Sequence, residues 1–227
     1  MLQLFGAAQN PHGKPSLEHR VQRLFGGVAT IVSHDIKQFD RLVPILEYVS
    51  RRYPYGWILL AELMTETFDQ QFSPEIERLL LRYVENPDEE RYSSITAWLR
   101  IADLKRDLGD PSGELHALAQ VCRQRSAALH VVRNTANRIN GVLRSNVDKD
   151  VRLRREETQF LLADVVSAME NHLSDLDATD CSRLAWLYVH LDQDVQAIEV
   201  AQSGLDMDPD NGYCYRLIQT LNYRLSR

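Results

Sequence analysis

The residues with the most obvious chemical potential lie in Asp206-Met207-Asp208-Pro209-Asp210-Asn211-Gly212, whose alternating carboxylates look like the start of a calcium loop. Such a loop needs glycine at its sixth position and a bidentate glutamate at its twelfth. Asn211 and Leu217 stand there, so the coordination sphere cannot close. Gly13-Lys14 invites comparison with a phosphate-binding loop, but Ala8 replaces the first glycine and Pro15 the magnesium-holding hydroxyl. The seven histidines, His12, His19, His34, His116, His130, His172 and His190, show no zinc-helix spacing. No nucleophile elbow or active-site glycine turn accompanies a serine or cysteine. The expectation is therefore a protein with no catalytic residues, no metal site and no cofactor, and not an enzyme.

Charge is more informative than any of these motifs. Arg123, Arg125, Arg133, Arg138, Arg144, Lys149, Arg152, Arg154 and Arg155 are opposed only by Asp148 and Asp150. That segment carries +7 in a chain of net charge −6, which leaves −13 for the remainder. Near 127–144, His130, Arg133, Asn137, Asn140 and Arg144 fall along one side of a helix, with Leu129, Val132, Ala136, Ile139 and Leu143 as its apolar stripe. Arginine with asparagine can contact phosphates or acidic side chains. Arg133, Arg138 and Arg144 are the candidate polyanion contacts, and nucleic-acid or polyanion binding through 123–155 is the alternative function. The competing expectation is a solvated face paired with the acidic remainder. No aromatic residue lies within 123–155 to stack on a base.

These side chains must be carried by helices. The 227 residues are 44% hydrophobic with only 10 glycines and 8 prolines, and no segment has the alternation of a strand. Helical periodicity places about eleven helices near 16–33, 36–52, 55–69, 74–86, 90–108, 111–125, 127–144, 152–174, 179–191, 194–207 and 212–225. Ser73-Pro74 and Asp110-Pro111 offer a capping side chain followed by proline at the first helical position. Asp35 and Gln38 have capping-box spacing. Residues 1–15 read as a flexible lead-in, and 16–227 as one domain. Its last helix, 212–225, would cover the final apolar face with Cys214, Leu217, Ile218, Leu221 and Leu225 and leave Arg216, Gln219, Thr220 and Arg224 wet.

The segment 178–211 is a complete helix–turn–helix unit. Ala185, Ala197, Ala201 and Gly204 are small where two helices would cross, Leu184 and Tyr188 are bulky, and Asp208-Pro209-Asp210-Asn211 ends the unit. In length and in the order of these positions it resembles a tetratricopeptide (TPR) repeat. Trp57, Leu60 and Ala61 within 54–87, and Trp98, Ile101 and Ala102 within 95–126, repeat the spacing i, i+3, i+4. Cys181 takes the place that the two tryptophans hold. Those tryptophans are 41 residues apart, against roughly 34 in the family, which implies lengthened helices or loops.

The resemblance implies an all-α solenoid of stacked helical hairpins, a TPR-like superhelix that binds along the concave face of its first helices. The inward-facing positions it assigns include Arg100, Asp103, Arg106, Arg183, Trp186 and His190, with Trp186 as anchor. The family's paired Lys and Asn clamp for a C-terminal carboxylate is missing. The expected function is a protein-binding scaffold or sensor for a peptide or partner domain. By analogy it would form part of a larger bacterial regulatory or defence polypeptide. The three cysteines cannot all pair in one chain and no long apolar span is present, so a reducing cytoplasm and no membrane are expected.

Overall fold

The computed structural model describes residues 16–68, 73–145 and 155–226. The lead-in 1–15, with its Gly13-Lys14, lies outside them, as do Lys149, Arg152 and Arg154; the side chain of Arg155 is likewise not described. The described residues form eleven α-helices and no strand. These are α1 (Leu17–His34), α2 (Phe39–Ser50), α3 (Tyr55–Phe68), α4 (Ser73–Glu85), α5 (Ser94–Asp107) and α6 (Pro111–Arg123). Then follow α7 (Leu129–Ser145), α8 (Arg155–Glu170), α9 (Ala178–His190), α10 (Asp194–Met207) and α11 (Gly212–Leu225). By packing the chain divides into two compact units, Met1–Ala97 and Trp98–Arg227.

In the first unit α1 packs on α2 and α3, and α3 on α2 and α4. Val21, Phe25, Val28 and Val32 form the buried stripe of α1 and meet a core that includes Leu46, Trp57, Leu60, Ala61, Leu79 and Tyr83. Asp35 and Gln38 do not open a helix as a capping box. Asp35 instead accepts from Lys37 N (3.1 Å) and Gln38 Nε2 (3.0 Å), which stabilises a 3-10 turn at Ile36–Gln38, and α2 begins one residue later. The helix expected from 90 begins at Ser94. Asp88 and Tyr92 bind the Tyr83 hydroxyl through their backbone groups, which holds the preceding residues in a turn.

In the second unit successive helices from α6 to α11 pack on one another, and several also reach the next but one. α6 contacts α7 and α8, α7 contacts α8 and α9, and α9 contacts α10 and α11. This is the pattern of stacked helical hairpins, in which no hairpin can bury its apolar face alone. It explains α6, where Leu115, Ala117, Leu118, Ala119 and Val121 are all at most 3% exposed because partners cover several sides. Asp110 caps α6 by accepting from Gly113 N at 2.8 Å, and Pro111 takes the first helical position. Gly109 supplies the left-handed residue (φ 68°) that turns the chain out of α5.

The tightest crossing is where the small residues placed it. Ala185, Ala197 and Ala201 are fully buried, and a Cβ added at Gly204 would lie 2.7 Å from Cys214 Sγ and 3.0 Å from Cys181 Cβ. The backbones of α9 and α10 and the side chains of α9 and α11 therefore converge on one point. Cys181, buried and small, lies directly beside Gly204 at that point. In α11 Cys214, Leu217 and Leu221 are buried as the periodicity requires, but Leu225 is 56% exposed. It lies one residue past the point where Arg224 meets Asp194, the first residue of α10.

Candidate recognition surface

Two groups of side chains that the sequence keeps apart, the basic set on α7 and the mixed set on α5 and α9, meet on one layer of the second unit. α7 supplies the link. Arg138 Nε donates to Glu114 Oε1 at 2.6 Å and its Nη1 lies 2.8 Å from Asp103 Oδ1, while Arg106 reaches the same Asp103 at 3.2 Å and Asp107 at 3.5 Å. On its other side α7 meets α9. Arg133 Nε pairs with Asp180 Oδ2, Arg183 Nη1 lies 2.5 Å from Asp180 Oδ1, and Asn140 Nδ2 donates to Arg183 O at 3.0 Å. Arg100, also half-buried, sits on α5 about one helical turn before Asp103 and two before Arg106.

Asp180 is the pivot of the α7–α9 seam. Its side chain is fully buried, and besides the two arginines it accepts from Asp177 N, closing a capping box at the start of α9. A buried carboxylate without partners would carry a large desolvation penalty, and two guanidiniums answer it here. Each of those arginine side chains keeps 29% of its surface exposed. Arg133 and Arg138 are therefore not a solvated basic face. Their charges are matched by Asp180, Glu114 and Asp103. Arg144, by contrast, is exposed, donates Nε to Asn140 O at 3.3 Å, and has no carboxylate partner among the described residues.

Asn140 departs from its expected place on a wet side. It is 2% exposed because α9 packs against that side of α7. Val132, Ala136, Ile139 and Leu143 do form the buried stripe, so α7 is covered on two sides and only His130, Asn137 and Arg144 of the polar set face solvent.

Trp186 is half-buried rather than core. Leu184 and Tyr188, at 0% and 8% exposure, fill the internal crossing, and the Tyr188 hydroxyl donates to Glu170 Oε1. The indole lies against the ring of His190, with centroids 6.2 Å apart and planes inclined by 34°. Burial, reinforced by the positive charge of Arg144, pushes the His190 imidazole down to about 4, so the ring is neutral at physiological pH. The surface thus offers a neutral aromatic pair flanked by Arg144 and Arg183.

Other groups with chemical potential are committed elsewhere. Burial pushes the Cys122 thiol up to about 12 and Cys214 up to about 11, and also raises Cys181, which keeps all three protonated and unreactive. Asn211 Oδ1 accepts from Tyr213 N and Cys214 N and caps α11, and Asp208 Oδ1 accepts from Asp210 N, so the calcium-like segment is a helix-capping turn. Among the described residues no three His, Cys, Asp or Glu side chains are grouped to hold a metal, and no helix is long and apolar enough to cross a membrane. In the first unit an open groove of about 660 Å³ is lined by Ala29, Thr30, Val32, His34, Leu63, Glu66 and Thr67. Thr30, Thr67 and His34 are bonded to carbonyls of their own helices, so few polar groups converge on it.

Sequence reasoning missed Asp180 and Glu114 as partners of the arginines, because neither lies within the basic segment. The signal existed for Asp180: Asp177 and Asp180 have capping-box spacing, which marks a carboxylate turned back toward its own helix start. No family profile matches the chain, and comparison with curated proteins and with solved structures also gives no match.

Proposed function

We propose that the second unit is a non-catalytic recognition module that binds a peptide or a partner domain across the α7–α9 seam, in the manner of a TPR-like scaffold or sensor. The observation that carries this is the half-buried Trp186, set at a tilt beside a neutral His190 and flanked by Arg144. Tryptophan and arginine supply a large share of binding energy in protein interfaces. Arg144, which has no carboxylate partner among the described residues, favours an acidic group on the partner opposite it. Polyanion binding along α7 is disfavoured by the pairing of Arg133 and Arg138 with internal carboxylates.

Capture of binding partners on the immobilised chain, followed by titration of the captured partner, tests the proposal. Trp186→Ala and Arg144→Gln are each expected to weaken binding by about thirtyfold with unchanged helicity. Affinities within twofold of the wild type for both variants would place recognition elsewhere.

A further inference from the structure

The α10–α11 hairpin has a surface that recognition across α7 and α9 does not use. From Asp192 to Asn211 the chain carries six acidic side chains and no basic one. From Gly212 to Leu225 it carries two arginines and no aspartate, glutamate or lysine. The basic helix is also the aromatic one, with Tyr213, Tyr215 and Tyr223 at 61%, 55% and 61% exposure. Arg216 is held beside Tyr213, its guanidinium carbon 5.6 Å from the ring centroid and its Nε donating to Gly212 O at 2.9 Å. A helix that serves only as a wet cover gains solubility from lysine and glutamate. One rich in tyrosine and arginine and devoid of those residues has the composition of an interface centre.

The hairpin is antiparallel, since Arg224 near the end of α11 meets Asp194 at the start of α10 at 3.2 Å. The approach of Cys214 to Gly204 sets the same register, in which Tyr213 is level with Leu205 and Gly212 with Asp206; the Arg216 guanidinium, turned back onto Gly212 O, reaches that height, where Asp206 is exposed. A two-fold axis parallel to the helices would lay α11 of one copy over α10 of the other at the same height. Arg216 would then face the partner's Asp206, and the contact would be made twice, as an isologous interface requires. Two fourteen-residue helices side by side give a face about 20 Å by 20 Å, roughly 800 Å² over both copies, which is below the standard size and suits a weak, reversible association.

We propose that the α10–α11 face is the interface of a two-fold dimer, occupied by a second copy of this chain. Sedimentation equilibrium of the full chain tests it directly. Wild type is expected to dimerise reversibly at micromolar concentration, and Arg216→Glu and Asp206→Arg are each expected to weaken the dimer by about tenfold or more. An equimolar mixture of the two variants restores the dimer, because each heterologous pair then joins opposite charges at both contacts. Tyr213→Ala with Tyr223→Ala weakens it without touching charge, and Trp186→Ala leaves it as in wild type. Each variant is checked for helicity by circular dichroism. A wild type that stays monomeric to about 100 μM, an Arg216→Glu protein that associates normally, or a mixture that remains monomeric would each overturn the proposal and leave the face to another protein or segment.

Discussion

Replacing Asp180 with asparagine keeps the shape of the side chain and one acceptor for the α9 cap, and removes only the charge. The carboxylate is fully buried and shared by two guanidiniums that are 29% exposed. Stripping one partner from a buried ion pair costs about 3–5 kcal/mol. Solvent access to the two arginines lowers this, and their mutual repulsion across a neutral amide raises it, so about 3 kcal/mol is expected for Asp180→Asn. In a domain of this size that lowers the melting temperature by roughly 10 °C, measurable by circular dichroism at 222 nm. Arg133→Met or Arg183→Met alone should cost less, because the carboxylate keeps its other arginine. The triple variant with both methionines should recover part of the Asp180→Asn loss, since no uncompensated charge remains. A loss below about 0.5 kcal/mol for Asp180→Asn would refute the pivot. So would a triple variant less stable than the single one.

Gly204→Ala is expected to destabilise by about 1–3 kcal/mol, because the new methyl overlaps Cys214 Sγ and Cys181 Cβ, and Cys214→Ala in the same chain should recover part of it; equilibrium urea unfolding reads both. His190 has its pKa lowered in the folded state to about 4 from 6.5, so its contribution is complete above pH 6.5 and is lost as pH falls toward 4. With some solvent access to the ring, about 2 kcal/mol should disappear over that window. A His190→Phe variant whose stability falls just as steeply between pH 6.5 and 4.5 would assign the loss to other groups.

The all-helical architecture was legible because its causes are local. Apolar periodicity marked the helices, Asp110-Pro111 marked the start of α6, and Ala185, Ala197, Ala201 and Gly204 marked a close crossing. What the sequence hid depended on neighbours distant in the chain. Asn140 belongs to the polar side of α7 by periodicity, and only the approach of α9 buries it. Arg133 and Arg138 look like free cations until Asp180, 47 positions from Arg133, and Glu114, 24 from Arg138, come into contact. The tyrosines of α11 carry no periodic signal of their own, because their neighbours Arg216, Gln219 and Arg224 already account for a polar surface.

Stacked-hairpin arrays commonly gain and lose modules over evolutionary time, because each module interacts with its neighbours through interchangeable apolar faces. The ion pair between Arg133 and Asp180 limits that freedom at one junction. A module inserted between α8 and α9 would part Asp180 from Arg133 and leave the buried carboxylate to Arg183 alone, and a slip of α7 by one turn would do the same. Separation of α7 from α9 is therefore costly, and lineages carrying this pair should vary in length mainly outside the order α7, α8, α9.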